Sequence, residues 1–318
     1  MRAVFLDYET VSAGDLDPAR LLRAVPGLQL LAATKQEDVA ERIAGHEVVI
    51  LNKLYLDRAL IAATPTLKLV LLAATGTNNV DLEAAREHGV AVCNIRDYCT
   101  ASVAQHVLGV ILALTHRTRE YSRAAVDGTW AKSAQFTVLD WPIRELTGRV
   151  LGVVGWGVLG RATARACEAA LGMRVLVANR AGEPPQPGRI DLHELLPQVD
   201  VLTLHCPLTP RTTGMIGAPQ LALMKHDALL VNTARGALID LEALATALRA
   251  RRIGGAAIDV LPQEPPVGGS PLFAPGLPNL IVTPHVAWAA REARQRAIDE
   301  IAANAADFLA GGRRGRVA

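Results

Sequence analysis

Cysteine is scarce in this chain of 318 residues, and long apolar runs are missing. The cysteines form no C-x-x-C pair and stand far apart, at Cys93, Cys99, Cys167 and Cys206. Because this spacing excludes a disulfide framework, we expect a cytoplasmic protein with reduced thiols. No apolar run reaches the length of a membrane-spanning helix. The first residues, MRAVFLDYET, lack the basic segment and the cleavage site of a signal peptide.

A surplus of charge of one sign is also missing. The chain has 33 Lys and Arg against 31 Asp and Glu, for a formal net charge of +2, and the two signs are interspersed. This balance gives no general reason to expect a nucleic acid or a membrane surface as a partner. Apolar residues, in contrast, make up 50% of the chain. A chain of this length and composition can fill the cores of two domains.

The first hundred residues alternate between two patterns. Short β-rich or apolar runs predict strands at 3–6, 28–32, 48–51, 67–73 and 90–92. Helical patterns lie between them, for example at 57–63 and at 81–88, where Asp81 begins and Gly89 ends the pattern. Alternating strands and helices predict a parallel sheet with helices on its faces. This part of the chain is therefore predicted to form a small α/β domain.

A long helical pattern at 100–120 follows, and Thr100 or Ser102 is its N-cap candidate. Its apolar residues spread around the helix, which predicts a mostly buried helix connecting two domains. Residues 130–142 are predicted to form an irregular loop. From Val150 the alternation resumes, with strands predicted at 150–154, 174–178, 200–204, 228–232, 256–259 and 280–282. Helices are predicted between them at 159–171, 219–223 and 241–249, which indicates a second doubly wound parallel sheet.

The end of the chain carries a helical pattern at 291–309 and then the basic tail GGRRGRVA. The helix is predicted to return to the first domain, so the predicted domains are 1–99 with 291–318, and 100–290. We expect the tail to be frayed, and a solvated end is favoured over a nucleic-acid arm because the tail is so short.

The clearest motif is LGVVGWGVLGRATAR, which begins at Leu151. Gly155, Gly157 and Gly160 follow an apolar strand at G-x-G-x-x-G spacing, and a helical pattern begins at once. The first glycine permits a tight turn, the second allows close approach of a pyrophosphate, and the third allows the helix to pack on the strand. The pyrophosphate would face the helix N-terminus. A dinucleotide site is favoured over a purely structural turn because a predicted strand precedes the glycines and a predicted helix follows them.

Three chemically complementary residues follow strands of the second predicted domain. They are Arg235 in LLVNTARG, Glu264 in IDVLPQEP and His285 in LIVTPHVAW. Each one alone is more often a solvated or structural residue. Together they offer three functions. The arginine can bind a carboxylate through two parallel N–H donors, the histidine can exchange a proton near neutral pH, and the glutamate can pair with the imidazole. Their common position beside the expected nucleotide crevice predicts a catalytic site.

Over nearly its whole length the chain resembles the D-isomer-specific 2-hydroxyacid dehydrogenases. The motifs that carry the resemblance are GVVGWGVLG, LHCPLTPRTTGMI, LLVNTARGALID, AAIDVLPQEPP and TPHVAW. Within the family it is most similar to the glycerate dehydrogenase/hydroxypyruvate reductase branch, through AATGTNNVDLEAAREHGVAVCN and TPHVAWAAREARQR. The resemblance implies NAD(P)-dependent reduction of hydroxypyruvate, and also of glyoxylate, to the D-2-hydroxy acid. It also implies a flavodoxin-like substrate domain, a Rossmann nucleotide-binding domain and an active-site cleft between them.

The same resemblance implies residue roles. Arg235 would bind the substrate carboxylate and polarise its carbonyl, His285 would be the acid/base, and Glu264 would pair with its far nitrogen. Backbone amides of Thr75 and Gly76 would hold the other side of the carboxylate. Lys53 follows a first-domain strand and is a weaker substrate-binding candidate, because a surface lysine is the more common alternative. No metal ligand set is predicted.

Cofactor-binding residues are implied in the same way. Asp259 would accept a hydrogen bond from the nicotinamide carboxamide. The others would line the cofactor pocket or its phosphate turn: Gly155, Gly157, Val158, Leu159, Gly160, His205, Cys206, Pro207, Thr233, Ala234 and His285.

One departure from the pattern concerns the cofactor. An NAD enzyme places Asp or Glu at the end of the second Rossmann strand, where it accepts from the ribose 2′-hydroxyl. This chain has Asn179 there, followed by Arg180. The missing carboxylate removes repulsion of a 2′-phosphate, and Arg180 can pair with that phosphate. NADP is therefore slightly favoured over NAD. In the alternative, Asn179 bonds the 2′-hydroxyl and Arg180 faces solvent.

Other readings remain open. Phosphoglycerate or phosphite oxidation is the alternative within the family. Phosphoglycerate is disfavoured because no regulatory domain follows the last helix, and formate oxidation because that branch has Gln where this chain has Glu264. A nucleotide-sensing corepressor is the non-enzymatic alternative, disfavoured by the lack of long extensions. The family also packs the region around Trp141 across a two-fold axis, which implies a homodimer.

Overall fold

The computed structural model describes residues Met1–Ala318 and divides them into two compact units. Unit 1 comprises Met1–Cys99 with Trp288–Ala318, and unit 2 comprises Thr100–Ala287. The second boundary thus lies slightly before the predicted residue 291. None of the helices combines the length and the apolar character that a membrane-spanning segment requires.

Unit 1 is built on a five-stranded parallel sheet of order β2-β1-β3-β4-β5. This is the flavodoxin-like order, with its switch point between β1 and β3. The strands are β1 (Ala3–Phe5), β2 (Leu28–Leu30), β3 (Val48–Leu51), β4 (Leu69–Leu72) and β5 (Ala91–Cys93). The helices between them are α1 (Ala19–Ala24), α2 (Val39–Ile43), α3 (Arg58–Ala62) and α4 (Leu82–Glu87).

Side chains of successive strand residues enter two separate cores, one on each face of this sheet. Phe5 and Ile50 lie in one core, while Val4 and Val49 lie in the other. Burial on both faces explains why these strands read as continuous apolar runs in the sequence.

Unit 2 is built on a six-stranded parallel sheet of order β11-β10-β9-β8-β6-β7. Its strands are β6 (Val150–Val154), β7 (Arg174–Val177), β8 (Val201–Leu204), β9 (Leu229–Asn232), β10 (Gly255–Ile258) and β11 (Leu280–Val282). Its helices are α5 (Thr100–Thr115), α6 (Thr118–Val126), α7 (Val158–Leu171), α8 (Leu192–Leu195), α9 (Ala218–Leu223) and α10 (Leu241–Arg249). Beyond β7, Ala178 and Ile190 form an isolated parallel bridge. That bridge marks the third position of a Rossmann sheet, shortened by the proline-rich segment before Ile190.

One predicted helix is two in the structure. The pattern at 100–120 is interrupted between α5 and α6, where Arg117 adopts a left-handed conformation with φ 54°. The Thr115 hydroxyl bonds back to the carbonyl of Ile111 at 2.7 Å. A non-glycine residue with positive φ cannot continue an α-helix, so the prediction of a single helix was wrong.

Unit 1 is completed by α11 (Arg291–Leu309) and the tail that follows it. Arg294 on α11 forms a bidentate ion pair with Asp15, at 2.6 and 2.7 Å, and this pair lowers the pKa of Asp15 to about 2. The tail is not frayed, contrary to the prediction. Its Val317 amide donates to the carbonyl of Val92 at 2.8 Å, and the Asn94 amide donates to Gly315 at 3.0 Å. The tail therefore pairs along the edge strand β5.

Candidate active site

The turn between β6 and α7 has the close approaches that its glycines predict. Gly155 has φ +99°, and a Cβ there would lie 2.5 Å from the carbonyl carbon of His205. A Cβ on Gly160 would lie 2.0 Å from the carbonyl oxygen of Gly155. At Gly157, which caps α7, a Cβ would meet nothing within 4 Å. The space over Gly157 and over the first α7 residues, Val158 and Leu159, therefore fits a pyrophosphate at the helix N-terminus.

The segment after β8 lies against this turn and carries no charge at neutral pH. The ring Nε2 of His205 lies 3.0 Å from the Thr203 hydroxyl, and burial lowers the pKa of His205 to about 4. Burial also raises the pKa of Cys206 to about 11. A neutral imidazole and a neutral thiol next to Pro207 suit the apolar face of an adenine.

Two polar atoms at predicted cofactor positions are buried without a hydrogen-bond partner. They are Oδ1 of Asn179 and Oγ1 of Thr233. Buried polar atoms in folded proteins normally find a partner, so each of these atoms can bond to a bound ligand. Together with the open surface at Gly157, they show that the residues present fit a dinucleotide.

Around Asn179 the chain places two guanidinium groups. The amide Nδ2 of Asn179 donates to the carbonyls of Glu183 and Pro184 at 3.1 and 3.2 Å. The Arg180 side chain is 63% exposed and its Nη1 lies 3.6 Å from Glu183. Nη1 of Arg211 donates to the Gly182 carbonyl at 3.2 Å. Sequence reasoning missed Arg211 because it lies in another motif, LTPRTTG, and only the fold brings it to this loop.

Arg235 follows β9 in a turn that Asn232 shapes. Asn232 is fully buried; its Nδ2 donates to the carbonyl of Arg235 at 2.8 Å, and its Oδ1 accepts from the Ala234 amide at 3.0 Å. The guanidinium of Arg235 is exposed, and its Nη1 donates to the carbonyl of Ala234 at 2.7 Å. A Cβ on Gly236 would lie 2.1 Å from the carbonyl carbon of Leu261. The Arg235 turn thus packs directly on the segment that leads to Glu264.

Glu264 and His285 form an ion pair. Oε2 of Glu264 lies 2.6 Å from Nδ1 of His285, and Oε1 accepts from the Leu261 amide at 2.7 Å. Because each carboxylate oxygen has its own donor, Glu264 is fixed in orientation as well as in position. His285 has φ 56°, a left-handed conformation that is strained for a residue with a Cβ.

The buried carboxylate of Asp259 holds the loop that carries His285. Its oxygens accept from the Thr283 hydroxyl at 2.5 Å and from the amides of Val286 and Ala287, both at 2.9 Å. The His285 amide donates to the Asp259 carbonyl at 2.8 Å. The side chain of Asp259 is 1% exposed, and Nε2 of His106 lies 4.0 Å from its Oδ1. The carboxylate is thus occupied by groups of its own chain. A bond to nicotinamide, the role expected from the resemblance, would be additional to these.

In unit 1, Lys53 lies in a turn that a buried acid organises. The Asp7 carboxylate accepts from the amides of Asn52 and Lys53, at 2.9 and 2.8 Å. Burial raises the pKa of Asp7 even though these amides favour its charged form. Nδ2 of Asn79 donates to the Leu54 carbonyl at 2.8 Å, which joins this turn to the segment after β4. Asp7 was not predicted, since a carboxylate after a strand gives no distinctive sequence signal.

The turn after β4 contains Thr75 and Gly76. The Thr75 hydroxyl donates to the carbonyl of Ile95 at 2.9 Å, and Nδ2 of Asn94 donates to the carbonyl of Thr75 at 2.7 Å. The backbone N–H groups of Thr75 and Gly76 donate to no group of the chain. Two adjacent unused donors on a fixed turn can bind a carboxylate.

The predicted residues of unit 2 therefore gather at one edge of its sheet, beyond the carboxyl ends of the parallel strands. A glycine turn that fits a pyrophosphate and an imidazole–carboxylate pair at that edge define the class of protein: a dinucleotide-dependent oxidoreductase.

Comparison with known proteins gives the family. The NAD binding domain of the D-isomer specific 2-hydroxyacid dehydrogenases matches residues 108–287. The chain belongs to this family, as the sequence resemblance predicted.

Named relatives extend over most of the chain. A glycerate dehydrogenase of Methylorubrum extorquens is 46% identical over 275 residues, 86% of this chain and 86% of the relative. A hydroxypyruvate reductase of Blautia hydrogenotrophica is 36% identical over 317 residues and covers 98% of each chain. A crystal structure of an NADPH-dependent glyoxylate/hydroxypyruvate reductase from Sinorhizobium meliloti, with NADP and malonate, has a TM-score of 0.80 and 26% identity. That match covers 100% of this chain and 97% of the other.

Proposed function

We propose that this chain reduces hydroxypyruvate to D-glycerate, with glyoxylate as a second substrate. The observation that carries the proposal is the 2.6 Å pair of His285 and Glu264 beside the Arg235 turn. The similarity to a glycerate dehydrogenase and a hydroxypyruvate reductase, each over most of the chain, supports this choice of substrate.

In the proposed mechanism, Arg235 binds the substrate carboxylate. Its exposed guanidinium offers a planar pair of N–H donors, and Asn232 fixes the backbone from which it projects. A carboxylate held by this planar pair of donors presents its neighbouring carbonyl in one orientation, which determines the face that is reduced. In unit 1, the unused amides of Thr75 and Gly76 remain candidate donors to a carboxylate.

His285 then supplies the proton. Glu264 holds Nδ1, so Nε2 is the nitrogen that transfers a proton to the developing alkoxide oxygen. A reduced nicotinamide dinucleotide, held at the turn of Gly155, Gly157 and Gly160, would supply the hydride for the carbonyl carbon. The hydrogen bond between Nδ1 and Glu264 fixes the plane of the imidazole ring.

Asp259 acts on the reaction through His285, as a positioning residue. The left-handed backbone at His285 is costly, and four hydrogen bonds to Asp259, three to its carboxylate and one to its carbonyl, hold the loop in that conformation. His106, 4.0 Å from the carboxylate, faces the same group.

For the cofactor, we propose acceptance of both NADPH and NADH, with a preference for NADPH. Arg180 within the loop 179–184 and Arg211 against it can pair with a 2′-phosphate, and no carboxylate stands at position 179. The buried Oδ1 of Asn179 can accept from a ribose hydroxyl, which accommodates NADH. The ratio of kcat/KM for NADPH and NADH tests the preference; a ratio well below one contradicts it.

We also propose a homodimer formed through the segment that follows α6. The last residue of α6, Val126, is 84% exposed, and in the segment after it Phe136 is 90% and Leu139 78% exposed. Several large apolar side chains exposed in one part of the chain favour a protein partner. Light scattering of the purified protein tests the proposal, and Phe136→Ser should shift the particle toward the monomer mass.

A panel of substrates tests the proposed reaction. Hydroxypyruvate, glyoxylate, pyruvate and 3-phosphohydroxypyruvate are each assayed with NADPH and with NADH. The proposal predicts the highest kcat/KM with hydroxypyruvate and measurable turnover of glyoxylate. A higher value for the phosphorylated acid would identify a phosphoglycerate dehydrogenase instead, and no turnover of any acid would favour a nucleotide-sensing protein. Cytoplasmic location stays a prediction from the reduced cysteines.

A further inference from the structure

A cavity rich in arginine lies in unit 1, between α1, the segment after β5, α11 and the tail. Its volume is about 670 Å³, within the range of small-molecule sites. Six arginines line it: Arg20, Arg96, Arg296, Arg313, Arg314 and Arg316. It shares no residue with the predicted cofactor and substrate sites.

The carboxylates in the cavity do not neutralise these arginines. Only Asp97, Asp299 and Glu300 line it, and of these Glu300 is already paired with Arg314 at 2.7 Å. Nε of Arg296 donates to the Tyr98 carbonyl at 2.8 Å. The cavity therefore carries a local positive charge in a chain whose net charge is only +2.

Three of the guanidinium groups have no partner within the chain. The side chains of Arg20, Arg96 and Arg313 make no hydrogen bond and no ion pair with any residue. Each comes from a different element, namely α1, the segment after β5 and the tail. Because three elements direct unpaired donors at one concave space, that space can surround an anion from several sides.

The tail arginines are held at the cavity rather than free in solvent. Gly315 has φ +64°, and a Cβ there would lie 2.6 Å from the carbonyl oxygen of Asn94 and 2.7 Å from Nδ2 of Asn304. Only glycine permits this approach, which brings Arg313 and Arg316 to either side of the contact. The Arg314 amide also donates to Asp307 at 2.7 Å. The arginines are therefore preorganised, which lowers the entropic cost of binding.

Asn94 forms a fixed part of the cavity wall. It is 4% exposed, and its Nδ2 donates to the Thr75 carbonyl at 2.7 Å, so its side chain is held in place by the chain itself. The donors that the cavity offers to a ligand are therefore the guanidinium groups.

We propose that this cavity is a binding site for a small polyanion, a molecule with two or more phosphate or carboxylate groups. Arg20, Arg96 and Arg313 supply charge-assisted hydrogen bonds to those groups. A nucleic acid is disfavoured because the guanidinium groups line a cavity instead of an extended surface. Binding here is independent of the proposed reaction.

Titration calorimetry of the full chain tests the site, with inorganic pyrophosphate and citrate as separate probes. The protein is first saturated with NADPH, so that neither probe can occupy the dinucleotide turn. We expect saturable binding of at least one probe, and the triple variant Arg20→Gln/Arg96→Gln/Arg313→Gln should weaken it about tenfold or more. Comparison of the two probes distinguishes a phosphate ligand from a carboxylate ligand.

The matched control is Arg23→Gln/Lys35→Gln/Arg42→Gln, which removes three exposed cations of the same unit that lie outside the cavity. It should bind the probes as the unaltered chain does. If the triple variant does not fold, Arg313→Gln alone should weaken binding about threefold. No binding of either probe at millimolar concentration, equal affinities in the pocket and control variants, or tighter binding of a single-stranded oligonucleotide would overturn the proposal.

Discussion

Replacement of Glu264 by Gln removes one negative charge and almost no volume, so it tests the ion pair directly. In the structure, Oε1 accepts from the Leu261 amide and Oε2 faces Nδ1 of His285. A glutamine cannot accept at both places. If its oxygen faces Leu261, its NH₂ group faces Nδ1, which then has to accept the hydrogen bond. In the opposite orientation, the NH₂ group opposes the Leu261 N–H.

The size of the effect follows from the type of hydrogen bond. A bond to a charged group contributes roughly 1.5–3 kcal/mol and a neutral one roughly 0.5–1.5, so the change removes about 1–1.5 kcal/mol from the interaction that holds the imidazole ring. His285 and Glu264 are 29% and 33% exposed, and solvent screening keeps the loss at the lower end of that range. Since 1.36 kcal/mol corresponds to a factor of ten in rate, kcat/KM for reduction should fall roughly fivefold to tenfold.

The assay is kcat/KM for hydroxypyruvate reduction at a fixed pH, with the affinity for NADPH measured separately. Glu242→Gln, on the exposed surface of α10, is the control and should leave kcat/KM unchanged. Activity of Glu264→Gln equal to that of the unaltered chain would refute the role of this carboxylate.

Three further outcomes are expected. Arg235→Lys keeps the charge but loses the planar fork, so kcat/KM should fall about a hundredfold, and near-normal activity would show that the fork is unnecessary. Asn179→Asp introduces repulsion of a 2′-phosphate and should lower kcat/KM for NADPH about tenfold or more while NADH use is kept; an unchanged ratio of the two cofactors would contradict the assignment. His205 has a folded-state pKa of about 4, below its usual 6.5, so as the pH falls from 6.5 toward 4 the unfolded chain binds a proton that the folded chain does not. Stability is therefore full above pH 6.5 and is lost on acidification, and urea titrations should show a smaller loss for His205→Asn than for the unaltered chain.

The features that local patterns encode could be predicted from the sequence. Strand β3, helix α10 and helix α11 occupy the predicted residues, because their apolar pattern extends over the same positions. Asp81 is the N-cap of α4 and accepts from the Ala84 amide at 2.8 Å. The glycine spacing likewise indicated a turn whose close contacts the structure contains.

Features that depend on distant parts of the chain could not be predicted in this way. The tail is polar and rich in glycine, yet it pairs with β5 because the edge of that sheet offers free backbone groups. Neither proline nor glycine stands between α5 and α6, so no local signal predicted the break at Arg117.

The candidate site shows the same limit. The pairing of Glu264 with His285 was expected from chemistry and resemblance, but the residues that position them were not. Asn232 and Thr283 belong to recognised motifs without an expected role, and they act through hydrogen bonds that exist only in the fold. Asp259 was expected to contact cofactor, whereas its bonds within the chain reveal its part in holding the His285 loop.

The most direct test of the proposed reaction compares two proteins in one assay. Hydroxypyruvate reduction with NADPH is measured for the unaltered chain and for His285→Gln, with cofactor affinity measured separately by fluorescence. We predict rapid turnover by the unaltered chain, a loss of about 10²–10⁴-fold in kcat/KM for the variant, and equal binding of NADPH by both. Undiminished turnover by His285→Gln would contradict the account.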